Sequence, residues 1–598
     1  MPDYNVNNPF GRDVAVSYSY AAEFAGMRMS NRQAQSNLDA HVELSGKLSW
    51  LKGWHFETGL NYGKEDGRSD MLRDDFGSYD PSNPDRTLKF FTNVNPFGNG
   101  TDAAIVDANR KLLEELVQRF RSEFSSEQVE WNNLLRGDLF ALPAGNVELA
   151  LGLQLRREKY QDRQLDYDVG MFRSTRDGTA LFAEAGFPLL RDMPFAKELT
   201  LTVAARYERF RQTGDNVIKN GAWLMDPESW EPVEDLVQIG GFDVAGLTGG
   251  ALPGNGAEVF GAPHEFARTY SNTSPLARLS WRINDALRLR ATWGKSFVTP
   301  TARQLFGPMN LVDATYMVSL YGVELPPEVM LVQLFGPNPY LKPQVATTRT
   351  YGFDFNPEFA PGLTLSMTYN DIDYANYIAS FGGEMVPMSR IFDAATQLPP
   401  GLLTKGPDNQ DIWLWDAREI NYLGRSSRSV DLGVSWFTSN ALGDWRVQWN
   451  TSRMLDLSLQ ALQDMPKTVI MDSELGPSKW ASDLLLGWDR GRFNATIGGH
   501  YSSAHRVLYP VSAESNIYND CTPNPNPLRR SGASITWDAQ IGYRTDYNDG
   551  WLGGMSIQLG ARNLFNRAYP FVDNVYGFIS SRQDARGRVI YLDIRKEF

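Results

Sequence analysis

The chain has 598 residues, and its 58 Lys and Arg against 71 Asp and Glu leave a formal net charge of −13. That length would need about three or four ordinary soluble cores, and the acidic balance excludes the basic face of a nucleic-acid binder. Five His and a single cysteine, Cys521, exclude a His-rich metal enzyme, an internal disulfide framework and a paired-cysteine zinc site. No apolar run is long enough for a membrane-spanning helix. Met1 is followed by Pro2-Asp3-Tyr4-Asn5 rather than by a basic and then apolar leader. Taken alone, those two absences describe a soluble cytoplasmic chain; the pattern of residues overturns that description.

In chain order, candidate strands of period two fall at 12–20, 37–49, 54–63, 130–141, 147–160, 177–187, 198–210, 274–283 and 286–296. They continue at 347–356, 362–374, 428–438, 444–455, 478–488, 491–501, 533–545, 553–563 and 588–598. The last shows the rule: Ile590, Leu592, Ile594 and Phe598 share one face, while Tyr591, Asp593, Arg595 and Glu597 share the other. The count is eighteen, an even number, as a bacterial barrel wall requires. One segment breaks the period. Ile105, Leu112, Leu116 and Phe120 recur at helical spacing, with Thr101 or Asp102 as N-cap, so a helix is expected over 101–121 in an outer loop at the barrel mouth.

Connections come in two lengths. Short turns such as 284–285 and 489–491 alternate with long polar loops at 211–273, 297–346, 375–427, 456–477, 502–532 and 564–587. Short turns at one end and long loops at the other describe an all-β fold, a transmembrane antiparallel β-barrel with periplasmic turns and extracellular loops. A soluble sandwich has no need of that asymmetry. Trp54, Trp281, Trp436, Trp445, Trp488 and Trp537 fall near strand ends, where interfacial aromatic girdles belong.

Several blocks then become familiar. RNLFNRAYP (562–570) followed by a last strand ending in Phe598 resembles the C-terminal signature of TonB-dependent outer-membrane receptors. TWGKSFVTPTARQLFGP (292–308) and NPYLKPQVATTRTYGFDF (338–355) are similar to another of that family's stretches. So are 138–160, 180–190 and 201–210. Gln344 stands where the family usually has Glu, and Thr299 where Ala is common.

The resemblance implies a signal peptide, a TonB box and a plug domain ahead of a barrel of ~22 strands. No plug-like segment is legible here, so residues 1–598 are expected to be the C-terminal barrel part of a longer receptor. It further implies active uptake of a bulky, scarce solute, a siderophore, oligosaccharide or similar small molecule. The TonB–ExbB–ExbD complex would energise uptake through the missing N-terminal region. Other expected partners are outer-membrane lipids, lipopolysaccharide and the barrel-assembly machinery, in the outer membrane of a Gram-negative bacterium. The alternative is a passive pore or a non-functional truncated fragment.

Site residues follow from the alternation. Arg278, Arg288, Arg290, Arg446 and Arg544 fall on the lumen face, where they either pair with acidic neighbours, grip a plug or form a track for an anionic ligand. Trp413, Trp415 and Tyr340 lie in long loops and suit stacking on sugars or aromatic siderophores. No catalytic residue, resident metal or cofactor is expected. Gly294-Lys295-Ser296 lacks the glycine a phosphate-binding loop needs at Leu289. A hydrolase built on His500 and Ser534 is the one enzymatic alternative. Phe598, with Ile590, Leu592 and Ile594 behind it, resembles the signal read by the assembly machinery. Deleting Phe598 should lower the amount of heat-modifiable barrel in outer membranes while leaving ligand affinity of the assembled fraction unchanged; normal assembly would refute the signal.

Overall fold

A computed structural model describes residues 4–12, 21–24, 31–51, 53–74, 86–98, 101–165, 171–220, 264–313, 330–380, 403–405, 412–460, 467–472, 476–506, 530–546, 550–571 and 586–596. In chain order the strands are β1 (Asn31–Lys47), β2 (His55–Asp74), β3 (Val117–Leu142), β4 (Gly145–Gln164), β5 (Met171–Met193), β6 (Ala196–Asn220), β7 (His264–Arg282) and β8 (Leu287–Val298). Next come β9 (Gly307–Asp313), β10 (Met330–Phe335), β11 (Gln344–Phe355), β12 (Leu363–Ser380), β13 (Leu403–Lys405), β14 (Ile412–Asp416), β15 (Glu419–Asn440) and β16 (Gly443–Gln460). The last are β17 (Thr468–Val469), β18 (Trp480–Arg490), β19 (Phe493–Ser502), β20 (His505–Arg506), β21 (Arg530–Ser531), β22 (Ser534–Arg544), β23 (Met555–Arg562) and β24 (Val589–Lys596).

Seventeen of these make one antiparallel meander, the barrel wall: β1 to β8, then β11, β12, β15, β16, β18, β19, β22, β23 and β24. Each coincides with a strand read from the alternation. The eighteenth candidate, 12–20, lies from residue 13 onward outside the described residues. Among the described residues β1 pairs only with β2, and β24 only with β23. Both edge strands run from the loop end to the turn end. Side by side they would be parallel, so antiparallel closure takes an odd number of further strands between them.

The faces follow the period. Ile590, Leu592 and Ile594 are 67%, 61% and 59% exposed, and register sets them beside Ala561, Leu559 and Ile557. On the first strands Val42, Leu60, Trp131 and Leu155 form one outward row. An exposed apolar belt of this kind is what a lipid-facing wall presents. At the turn end three girdle indoles donate N–H to backbone carbonyls: Trp54 to Asp138 (3.1 Å), Trp281 to Phe195 (2.9 Å) and Trp488 to Leu442 (2.8 Å). An amphipathic ring so held suits the membrane boundary. In the turn 356–362, Gly362 has φ +82°, and a Cβ there would lie 2.1 Å from the Phe437 carbonyl oxygen, so only glycine fits.

Strands run beyond the limits read from sequence. β6 continues to Asn220 and β15 starts at Glu419, inside stretches read as loop. Past the membrane both faces meet water, so the apolar alternation ends while the backbone ladder persists. In the β2–β3 connection, helices α2 (Arg86–Asn93) and α3 (Ala103–Leu116) bring Phe90, Leu113 and Leu116 together with Val94, and Phe24 of the short helix α1 (Ala21–Phe24) packs against them. Asp102 is the cap, its carboxylate accepting from the Ala104 and Ile105 amides at 2.9 and 3.3 Å. Val117–Arg121, within the interval read as helix, already belongs to β3, whose pairing with β2 takes over the backbone there.

Leu592→Arg, on the outward face, should cost about 2–4 kcal/mol if it sits near the bilayer midplane. Gln558→Arg, on the lumen face of the neighbouring strand, should cost far less. Denaturant titration of the barrel in vesicles reads the difference; equal costs would reverse the assignment of faces.

Candidate functional site

The loop end carries a strap built from the two sequence blocks at 292–308 and 338–355. β8 pairs with β7 only as far as Gly294. The chain then turns inward, and a short helix, α4 (Ala302–Leu305), lies against the inner face of the wall. Its capping box is complete: the Thr301 hydroxyl accepts from the Gln304 amide and the Gln304 side chain accepts from the Thr301 amide (2.9 Å). Leu305 and Phe306 are fully buried, and the Phe306 ring fills the space left open by Gly214.

Inward-facing side chains of β4 to β7 hold this strap. Gln212, itself buried, donates to the Pro300 carbonyl (3.2 Å). Arg176 donates to the Thr299 hydroxyl (3.4 Å), pairs with Glu158 (2.5 Å) and lies over the Phe210 ring. Arg303 on α4 donates to the Tyr160 hydroxyl (2.8 Å) and to Asp162. The second block is tied in the same way. Arg268 donates to the Pro339 carbonyl (2.5 Å) and stacks its guanidinium 4.4 Å from the Tyr340 ring. Tyr270 donates to the Leu341 carbonyl (2.9 Å). Asn421 brackets Lys342, accepting from its amide and donating to its carbonyl. Gln344 accepts from the Ile378 amide (3.2 Å), a role that the carboxylate usual in the family would also fill.

A small sheet extends the mouth: β9 runs parallel to the end of β6, β10 pairs with β9, and β14 pairs with β10 and β13. Trp413 and Trp415 are alternate residues of β14, at register positions opposite Leu331 and Gln333.

The structure does not gather the candidate residues into one place. Tyr340, Trp413 and Trp415 belong to the mouth, whereas all five arginines lie in the half of the wall nearer the short turns. Arg278, Arg288 and Arg290 share a lumen patch on β7 and β8, and Arg290 pairs with Asp354 of β11 (3.0 Å). Arg446 on β16 and Arg544 on β22 stand apart from that patch, with β18 and β19 between them. In the turn below the patch, hydrogen bonding from Lys197, with Arg282 assisting, holds the Asp285 carboxyl below its ordinary range.

Sequence reading passed over the inward ladder of Glu130, Arg156, Glu158 and Arg176 that backs the strap. Its signal was there, charges at alternate positions of 147–160. The alternative His500–Ser534 pair does not form: Ser534 sits opposite Ser502, and His500 meets Asp483 through Nδ1 (2.6 Å) and Asp538 through Nε2 (3.6 Å). With a carboxylate at each nitrogen, the ring is placed as a wall contact rather than as the base of a nucleophile. Among the described residues no cluster could hold a metal ion.

The family model described as TonB dependent receptor-like, beta-barrel matches residues 2–564. The chain belongs to the TonB-dependent receptor family. Its barrel lies in the outer membrane of a Gram-negative bacterium, and its family consists of receptors and transporters rather than enzymes. Among solved structures it is similar in fold to the pyoverdine outer membrane receptor FpvA from Pseudomonas aeruginosa PAO1, with a TM-score of 0.53 at 11% identity over 95% of this chain and 62% of that one. It is also similar to the ferric-catecholate import receptor Fiu from E. coli K12 in its closed form (0.51, 12%, 94% and 64%) and to the copper transporter OprC (0.51, 11%, 94% and 66%). The chain therefore spans less than two thirds of the length of these structures. Comparison with curated proteins gives no match.

Phe306→Ala should free the strap at a local cost of about 3–5 kcal/mol, the usual loss for a fully buried ring. Limited proteolysis should then cut between residues 299 and 343 much faster while the wall keeps its heat-modifiable mobility. Unchanged cleavage would show that the ring does not anchor the strap.

Proposed function

We propose that this barrel is the translocating part of a TonB-dependent transporter that takes up a bulky, scarce, chelating or polyhydroxylic solute from outside. The observation that carries the reading is the mouth. A loop strap is bonded to the inner wall, and its Tyr340 lies against Arg268 at the loop end, the end to which β14 also belongs. Aromatic faces beside paired charges suit ferric siderophores and sugars alike; the siderophore class is favoured by the names of the fold relatives FpvA and Fiu. The arginines of β7 and β8 lie further down the lumen and would meet either an anionic solute or a plug domain. The chain holds no nucleotide-binding motif, so energy would come from TonB–ExbB–ExbD acting through that plug.

The test is uptake of a panel of ferric siderophores by cells producing the full-length receptor, with and without TonB. Accumulation of one member that disappears without TonB is expected. Accumulation that persists in cells lacking TonB would instead make the protein a passive pore.

A further inference from the structure

Above the apolar belt, the outward wall of β4, β5 and β6 carries more basic side chains than its own carboxylates engage. On β4 the outward residues pass from Leu151, Leu153 and Leu155 to Arg157, Lys159 and Arg163. On β6 they pass from Val203 and Tyr207 to Arg209 and Arg211, and on β5 Arg173 stands on the loop side of Asp177. Register gathers them: Arg157, Asp177 and Arg211 share one row, and Lys159, Thr175 and Thr213 share the next. Asp177 engages Arg157 at 2.6 Å. Lys159, Arg163, Arg173, Arg209 and Arg211 are exposed and make no ion pair or side-chain hydrogen bond among the described residues. The carboxylates at the border do not answer this surplus. Glu123, opposite Arg163, pairs with Arg68 (3.6 Å), while Glu127, Asp215 and Glu265 make no ion pair with the strip among the described residues.

The acids that would match the strip lie close by in the chain. Residues 221–263 join β6 to β7 at the loop end and lie outside the described residues. They hold seven Asp and Glu with no Lys or Arg, so this one connection supplies −7 of a net charge of −13. Five of the seven, Asp226, Glu228, Glu231, Glu234 and Asp235, fall in the single run DPESWEPVED. Reach is sufficient. Asn220, the end of β6, stands seven residues beyond Thr213 and the level of Lys159, or about 23 Å at strand rise. The acidic run begins six and ends fifteen residues past Asn220, a reach of roughly 20–50 Å.

We propose that the basic strip on β4, β5 and β6 is the docking surface for the acidic run 226–235 of the β6–β7 connection. Charge complementarity selects this occupant: five exposed cations without ion pairs face outward beside the strand from which five clustered carboxylates depart. Arginine forks hold carboxylates through paired hydrogen bonds. A single exposed pair is weak, but a run tethered at both ends to neighbouring strands meets the strip at high effective concentration, so several pairs form together. The contact holds this acidic connection against the outer flank of the wall rather than over the lumen. The inference does not depend on which solute is transported.

The experiment uses the full chain, in outer membranes and after extraction in mild detergent. Two readings are taken: coupling of Lys159 to a carboxylate of 226–235 by a zero-length carbodiimide, mapped by mass spectrometry, and the rate of chymotryptic cleavage after Trp230. The wild type should couple within one molecule and be cut slowly in both settings. K159Q/R163Q/R173Q/R209Q/R211Q and, separately, D226N/E228Q/E231Q/E234Q/D235N should each speed the cut about tenfold, the combined effect of several exposed ion pairs. Salt at about 1 M should do the same to the wild type. R349Q/R428Q, whose arginines already have aspartate partners, should be cut like the wild type. A wild type cut as fast as both five-site variants, or protection indifferent to salt, would overturn the proposal. Coupling of Lys159 to a second molecule would give the strip to another copy of the chain, and protection appearing only after lipid removal would give it to lipid headgroups; either result overturns the assignment. Should the wall variant fail to assemble, the variant in the connection carries the same test.

Discussion

In hydrocarbon a backbone amide or carbonyl without a partner costs several kcal/mol, and no water is present to supply one. The continuous antiparallel ladder from β1 to β24 answers that demand, and every other feature of the molecule depends on it. Strand-to-strand pairing places successive side chains on opposite faces, so the whole chain must alternate between what lipid accepts and what a wet lumen accepts. It also fixes where irregular backbone is allowed. The short turns and the described parts of the loop end sit outside the apolar belt, where water is available.

The lumen face uses that freedom to hold polar groups close together. Arg176 with Glu158 and Arg290 with Asp354 are inexpensive because the lumen keeps them hydrated or paired. At the mouth the same face grips a loop. Gln212, Arg268 and Tyr270 donate to the backbone carbonyls of Pro300, Pro339 and Leu341. The wall therefore reads the strap's main chain, and the strap's own side chains, Leu305, Phe306 and Leu341, supply the apolar contact. The two blocks that carry the family resemblance are thus structural fasteners, whose contacts here are with the wall.

Much of this was legible beforehand where one physical signal dominated. Ile590, Leu592 and Ile594 could be assigned to one face because a strand half-buried in lipid has an unambiguous period. Lumen placement of Arg278, Arg288 and Arg290 follows from the same period, and their neighbourhood on β7 and β8 follows from the two-residue turn between those strands. The ends of β6 and β15 were not legible, because alternation carries no information once both faces meet water. The surroundings of His500 were not legible for a different reason. Its neighbours Asp483 and Asp538 come from strands on either side, and lateral register is set by pairing rather than by local sequence.

By itself the sequence determined the class of fold, the direction of each wall strand, the two kinds of connection and the face each residue presents, since all of these depend on period and spacing along one segment. Tertiary structure decided what lies beside what: that Tyr340 stacks on Arg268 instead of standing free, that the candidate arginines sit far from the mouth, and that Lys159 and Arg163 make no ion pair with their register neighbours Glu127 and Glu123 while Arg349 and Arg428 are held by aspartates. Such facts depend on register between strands separated by many residues of loop, and that register is set by how the facing strands pair rather than by either strand alone.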